Sequence, residues 1–537
     1  MSSRDLPKSF NELAFSWRRH LNDEVTLRRR RGPDIELSSD SEATDKKKDK
    51  VQMKTLWPAF CSGAGLFSDG YVNNSIGTVS TCLKSIYGDA YSKSNAISNV
   101  SSIAFAGTVV GQLVFGYISD NIARKGGMLS ANIMLIFFTL LCTVGTWERN
   151  GDPTSLFTAL TVFRFFLGIG IGAEYPTASV IASEFANQLP EGKRNRYFVW
   201  FTNFMIDTGF VVSAFVPLVC LWIFREHNLE PVWRLTLGIG AIPPISLFFM
   251  RLKMKDSESF QKMSMKKVKK VPYLLILKFY WFRLTIVSLI WFIYDFSAYS
   301  FGIYSSVILQ HVVPDGNLYQ TFGWNVVFNL FYIPGAFLGA LLSDYIGPRF
   351  SIVLGTFLQG IVGFIMSGCY PKLKEHIGAF VVVYGIFSTL GELGPGDNIG
   401  AVASKTSATS VRGTYYGIAA AMGKIGAFVG TYVFPIIIKN AGGEETDKGN
   451  QAPFYVSSAL CMFSAFLALF FCPSVGQNAI NQEDYDFINY LKANNYDVSQ
   501  IGDGSFDSDN GIEEVFVNDK EKKSEGINVE SDVESSD

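Results

Sequence analysis

Long stretches of this 537-residue chain carry almost no charge. The formal net charge of -2 conceals that segregation, because Lys, Arg, Asp and Glu crowd into both ends and one middle loop. Such a distribution suits a lipid bilayer and argues against a nucleic-acid partner. Cysteine is sparse too. Seven residues, at 61, 82, 142, 220, 369, 461 and 472, lie mostly inside apolar runs, with no CxxC and no His/Cys ligand spacing. Neither a disulfide framework nor a metal site is indicated. The sequence also lacks a nucleophile–base–orienter constellation, a zinc motif and a phosphate-cradling loop ending in Gly-Lys-Ser/Thr, so neither catalysis nor a cofactor is expected. The stretch from Met1 to Lys50, with Arg28 to Arg31 and Lys46 to Lys48, has no short apolar core of a cleavable signal peptide. The first apolar helix is expected to act as the insertion signal.

What is abundant is apolar: 48% of residues are hydrophobic and 15% aromatic, with 46 Phe and 23 Tyr. Runs long enough to cross a bilayer as helices fall near 56–79, 96–118, 127–147, 155–184, 198–223 and 233–251. Six more lie near 283–309, 322–346, 350–369, 376–400, 412–438 and 453–472. The fold class expected is an all-α membrane protein with twelve transmembrane helices in two six-helix halves. The halves span 55–251 and 282–473, between an N-tail (1–54), a central loop (252–281) and an acidic C-tail (474–537). The runs at 96–118 and 412–438 are rich in Gly, Ala and Ser, which suits close helix packing. The region 473–537 is too polar to fold alone, with regulation of trafficking by phosphorylation as the sharper alternative to a solvated tail.

Basic residues set an orientation. The N-tail, Arg124-Lys125, Lys193-Arg194-Arg196, Arg251 through Lys270, Arg349 and Arg412 fall on alternate loops, which places those loops and both termini in the cytoplasm. A repeat is also visible. Gly116-Tyr-Ile-Ser-Asp120, followed by Arg124, matches Gly339-Ala-Leu-Leu-Ser-Asp344, followed by Arg349, each after the second helix of its half. Two such halves around a central loop are the layout of parallel-repeat transporters, whose substrate site lies between the halves near the midplane.

These paired loops resemble the cytoplasmic signature of the major facilitator superfamily, and the resemblance implies gating roles for Asp120, Arg124, Asp344 and Arg349. Arg164-Phe-Phe-Leu-Gly168-Ile-Gly170-Ile-Gly172 looks like the fourth-helix motif of the same superfamily. Gly172-Ala-Glu174-Tyr175-Pro176 and the following residues to Glu184 are similar to the signature of proton-coupled phosphate symporters. Trp233-Arg234, the series Trp291, Asp295 and Tyr299, and Gly423-Lys424 extend the likeness across residues 55 to 475. Within that group the chain most resembles the fungal glycerophosphodiester permeases, which import glycerophosphoinositol or glycerophosphocholine. It departs from the phosphate symporters at Glu174, where Asp is usual, at Asp207, near a usual amide, and at Gly394-Pro395-Gly396-Asp397-Asn398, where Gly-Pro-Asn is usual. Gly396 is expected to leave room for a substituent on the phosphate.

Ionisable residues inside apolar spans are functional candidates by default. They are Asp69, Glu174, Glu184, Asp207, Asp295, Glu392, Asp397 and Lys424, with Arg164 and Arg234 nearer helix ends. Trp291, Asp295 and Tyr299 recur at four-residue spacing and so share one helix face. That face can offer a carboxylate, an indole and a phenol to one cavity; the alternative is an aromatic packing stripe. Buried carboxylates at Asp69, Glu174 and Asp295 can exchange protons or sit in permanent ion pairs. Lys424 can meet a phosphate as a point charge or serve as counter-ion to Glu174 or Asp295. The expected substrate contacts are Tyr175, Asp207, Trp291, Tyr299, Asp397 and Lys424, with Trp200, Tyr294, Asn203 and Asn398 in support. Acidic and aromatic groups can suit a quaternary ammonium; the same carboxylates can instead bond inositol hydroxyls. Carrying one negative charge into an inside-negative cell costs about 2.3 kcal/mol per 100 mV, so a phosphodiester monoanion needs at least one co-transported proton to become electroneutral. The expectation is proton-coupled glycerophosphodiester uptake at the plasma membrane, with inorganic phosphate or sugar transport and nutrient sensing as alternatives.

Overall fold

The computed structural model describes residues 53–502 apart from 93, 123, 188, 190–191, 253–259, 261–262, 267, 269–270, 314–316, 444 and 477–478. The N-tail, and the C-tail beyond 502, lie outside the described residues. The bundle consists of α1 (Met53–Tyr87), α2 (Ala96–Asn121), α3 (Arg124–Val144), α4 (Thr154–Asn187), α5 (Arg194–Phe224) and α6 (Leu229–Arg251). The second half repeats the order as α7 (Tyr273–Val312), α8 (Leu318–Tyr345), α9 (Pro348–Leu373), α10 (Ile377–Lys405), α11 (Arg412–Asn440) and α12 (Asp447–Phe471).

Eleven of these helices, α2 to α12, are long and apolar enough to cross a membrane. The 35-residue α1 falls short in apolarity because Ser68, Asp69, Asn73, Asn74, Ser75, Thr78, Ser80 and Thr81 crowd its middle. All eight are buried in the bundle, so α1 turns its polar side chains toward protein rather than hydrocarbon. On the outside, Phe137, Trp222, Phe249 and Leu274 are more than half exposed, which leaves apolar surface where lipid would solvate it.

Small residues set the tightest packing. A Cβ on Gly168 would fall 2.0 Å from the Ala104 carbonyl oxygen, and one on Gly426 would fall 2.2 Å from that of Phe292. Only hydrogen fits there, which brings α4 onto α2 and α11 onto α7 at backbone distance. Between the halves, α2 packs on α11 and α5 on α8, with α1 against α7.

Three boundaries differ from the sequence reading. Helix α7 begins at Tyr273, inside the predicted central loop; Lys278 and Arg283 dilute its apolar pattern, but Arg283 is buried and bonds Glu483 at 2.7 Å. Arg251 is not a loop cation but the fully buried last residue of α6. The chain after residue 473 is not wholly solvated either. Helix α13 (Ala479–Ala493) buries Ile480, Phe487, Ile488 and Leu491, because its apolar stripe, too thin to fold alone, finds a surface on the bundle.

Candidate functional site

A cavity of about 50 Å³ lies between the halves, walled by α1, α4 and α5 on one side and α7, α8, α10 and α11 on the other. Two of its walls are broken helices at equivalent places in the repeat. Helix α4 widens into a π-helical turn over Tyr175–Ser179, and α10 does so over Glu392–Gly396, where Gly394 leaves helical geometry (φ -89°, ψ -106°). Pro176 and Pro395 remove a backbone donor in each turn, and interrupted helices at mid-depth free polar groups to face a ligand.

One side of the cavity is balanced in charge. Lys424 Nζ donates to the Tyr299 hydroxyl at 2.5 Å and lies 3.2 Å from Asp295 Oδ2. The ammonium stands 3.8 Å from the Tyr299 ring centre and 4.8 Å from that of Tyr175, and the two phenols are 3.3 Å apart. Trp291 forms the floor by packing edge-on to Tyr416; Gly423 allows this, since a Cβ there would meet the indole at 2.5 Å. Asn73 Nδ2 donates to Asp69 at 2.5 Å. Asp69 is buried beside the cavity rather than on its wall, and its second oxygen has no partner among the described residues.

The other side is acidic. Asn203 Nδ2 reaches Glu392 Oε2 at 2.8 Å, Asp397 Oδ1 at 2.9 Å and Asp207 Oδ2 at 3.4 Å, while the Tyr294 hydroxyl donates to Glu392 Oε1 at 2.7 Å. The three carboxylates are at most 2% exposed. Gly396 does not leave free room: a Cβ there would fall 2.2 Å from Glu392 Oε2 and 2.5 Å from the Tyr294 hydroxyl. The space gained is filled by this cluster.

Glu174 stands apart. Both its oxygens accept from Arg251, at 2.6 and 2.8 Å, in a fully buried pair that ties α4 to α6. Arg164 sits mid-helix and donates to the Val100 carbonyl at 2.9 Å, and Arg234 bonds the Thr143 and Thr146 carbonyls. Trp200 stacks on Phe337 at 5.6 Å, outside the cavity lining, and Asn398 bonds the Gly394 carbonyl at 2.8 Å, holding the break in α10.

Hydrogen bonds join the two halves at both ends of the cavity. At the end bearing the repeated loops, Asp120 accepts from the backbone N–H groups of Gly413 (2.8 Å) and Thr414 (2.6 Å), and so caps α11. Asp344 likewise accepts from the Asn195 N–H at 3.1 Å in the first turn of α5, and from Arg196 at 2.6 Å. Each half thus caps a helix of the other. The arginines diverge. Arg124 pairs with Glu184 and crosses to the Thr409 carbonyl at 3.0 Å, whereas Arg349 bonds the Ala468 (3.2 Å) and Leu469 (2.5 Å) carbonyls of α12 within its own half. At the opposite end Thr81 meets Ser306 at 2.9 Å, and Asn74 joins Ser213 (3.0 Å) and Asn329 (2.9 Å).

The sequence reading singled out neither Asn74 nor Asn329, and it missed the pairing of Arg251 and the capped residue Asn195. Asn, like Ser and Thr, carries no charge to mark it inside an apolar run, and Arg251 sits at the edge of a basic stretch.

Comparison with known proteins gives consistent matches. The pattern of the family described as sugar (and other) transporters fits residues 54–271 and 258–487. The chain is 62% identical over 511 residues to the major glycerophosphoinositol permease of Candida albicans, covering 94% of this chain and 95% of that protein. It is 61% identical to a glycerophosphodiester transporter (98% and 99% covered) and 61% identical to a glycerophosphocholine permease (94% of each) of the same organism. Among solved structures, a proton:xylose symporter of the major facilitator superfamily superposes with TM-score 0.66 at 15% identity, over 79% of this chain and 98% of that one. That likeness speaks to the fold, a multi-pass helical membrane bundle.

Proposed function

We propose that this chain, which belongs to the glycerophosphodiester permease family of the major facilitator superfamily, carries glycerophosphodiesters across the plasma membrane by proton-coupled alternating access. The observation that supports this best is Lys424, a buried ammonium held by Tyr299 and Asp295 on the wall of the cavity between the halves. A substrate phosphate is the natural competitor for that ammonium. As phosphate takes Lys424, with the Tyr175 and Tyr299 hydroxyls as further donors, Asp295 loses its counter-ion. An uncompensated buried carboxylate is costly, so Asp295 takes up a proton. Release of the phosphate returns Lys424 to Asp295 and expels the proton. Substrate and proton therefore travel together because each compensates for the same ion pair. Asp69, with one oxygen unpartnered, is a second proton carrier in this scheme. Glu174, held at both oxygens by Arg251, instead fixes α4 to α6.

The end closed by Asp120 and Asp344 is read as cytoplasmic, with both termini on that side. Opening there would break the two caps between halves, while opening at the other end would part Thr81 from Ser306 and Asn74 from Asn329. Each set is a gate, and rocking about the cavity exchanges one for the other.

Uptake of labelled glycerophosphoinositol and glycerophosphocholine into cells expressing the chain, with inorganic phosphate as competitor and with a protonophore, tests this reading. Protonophore-sensitive uptake of a diester, poorly inhibited by phosphate, is expected. Uptake of phosphate alone would overturn it and favour the phosphate-symporter alternative.

A further inference from the structure

We infer that Asp207, Glu392 and Asp397 form the binding site for a quaternary ammonium headgroup, so that the cavity reads a zwitterionic diester with the phosphate on Lys424 and the cation on the acidic wall. This rests on the transport function proposed above and names its substrate class. The cluster is short of hydrogen-bond donors. Asn203 has two N–H groups to share among three carboxylates and Tyr294 adds one O–H, and Asp207 Oδ1 and Asp397 Oδ2 are buried with no partner among the described residues. It is also short of positive charge. The ammonium on the cavity wall, Lys424, is committed to Asp295 and Tyr299, and no ion pair among the described residues reaches the trio. Yet the fold makes room for these groups: a Cβ on Gly339 would fall 2.2 Å from Asp397 Oδ2, as one on Gly396 would from Glu392.

Three buried carboxylates with one amide between them cannot all stay ionised unless positive charge arrives. A metal ion fits poorly, since no group of carboxylates among the described residues has metal-holding geometry. A polyol could give its O–H groups to the unpartnered oxygens, but it brings no positive charge to three buried carboxylates, and a cation does. A trimethylammonium needs no hydrogen bonds. It requires negative charge and aromatic faces, and Phe198, Phe210, Tyr294 and Tyr332 line the same cavity.

The test begins with the unaltered chain. Uptake of labelled glycerophosphocholine is competed by unlabelled glycerophosphocholine and by its isostere with a neutral headgroup, in which carbon replaces the quaternary nitrogen. The isostere should compete about tenfold less well or worse, the loss of a desolvated cation–π and charge contact. Equal competition would overturn the inference. Asp207→Asn and Glu392→Gln, checked for surface level, should weaken apparent affinity for glycerophosphocholine several-fold more than that for glycerophosphoinositol. Equal loss for both diesters would assign the trio to proton transfer or packing instead. Tyr294→Phe, a milder change, should show the same headgroup bias in smaller degree; no bias counts against the site. If the unaltered chain takes up neither diester, the failure lies with the transport function itself; if it takes up both and the isostere competes equally, that function stands and only the headgroup assignment fails.

Discussion

The cavity and the gate beneath it are built from the same residue types but leave them in opposite states. At the gate every carboxylate is answered: Asp120 by two N–H groups, Asp344 by an N–H group and Arg196, and Glu184 by Arg124 and Arg412. In or beside the cavity, Asp69, Asp207 and Asp397 each keep an oxygen without a hydrogen-bond partner among the described residues. A buried charge that is fully paired holds helices together. One left short can take up a proton or a ligand, and in the function proposed above that difference separates latch from binding site.

The largest effect that would sharpen this contrast is expected at Asp295. Asp295→Asn should abolish concentrative uptake with surface expression preserved, because the amide keeps the shape but cannot exchange a proton; normal accumulation at neutral external pH would dissolve the contrast. Next comes Lys424→Ala. A charged hydrogen bond contributes about 1.5–3 kcal/mol, so apparent affinity for every phosphate-bearing substrate should fall roughly 10- to 100-fold, measured by concentration-dependent uptake.

Smaller effects belong to the gate. Asp120→Ala strips the cap from α11 at a cost of about 1–2 kcal/mol. Labelling of a cysteine placed near Gly413 should then become faster while substrate affinity changes little; a large affinity loss would erase the distinction between latch and site. Least affected should be the contact of α13 with the bundle, where Asp484 accepts from the Thr409 N–H (2.5 Å) and hydroxyl (2.7 Å). Burial, opposed by Arg412, raises the Asp484 carboxyl above its ordinary 3.8. The docked helix therefore holds that proton more tightly than the released one, so docking strengthens as pH falls through the raised value and weakens above it. Fluorescence transfer between α13 and the loop before α11 should report a modest pH dependence that Asp484→Asn removes.

The two gate loops also show how far a repeat can be trusted. Asp120 and Asp344 do the same work in mirror positions, as the Ser-Asp pair that follows a glycine in each copy implied. Arg124 and Arg349 do not, because a short shift in spacing after the aspartate sends one guanidinium across the interface and the other back to α12.

Local pattern was sufficient for the helices, their order in two halves and the shared face of Trp291, Asp295 and Tyr299, because hydrophobic runs and four-residue spacing act within one helix. The same lone charges in apolar runs marked Lys424 and the acidic trio as candidates. Which charge meets which partner could not be read that way. Glu174 finds Arg251 and leaves Lys424 to Asp295, α5 and α10 bring Asp207, Glu392 and Asp397 around one asparagine, and α13 gains a buried face only by docking. Pairing of buried charges is fixed by distances of a few ångströms between helices far apart in sequence, and those distances exist only once the bundle has closed.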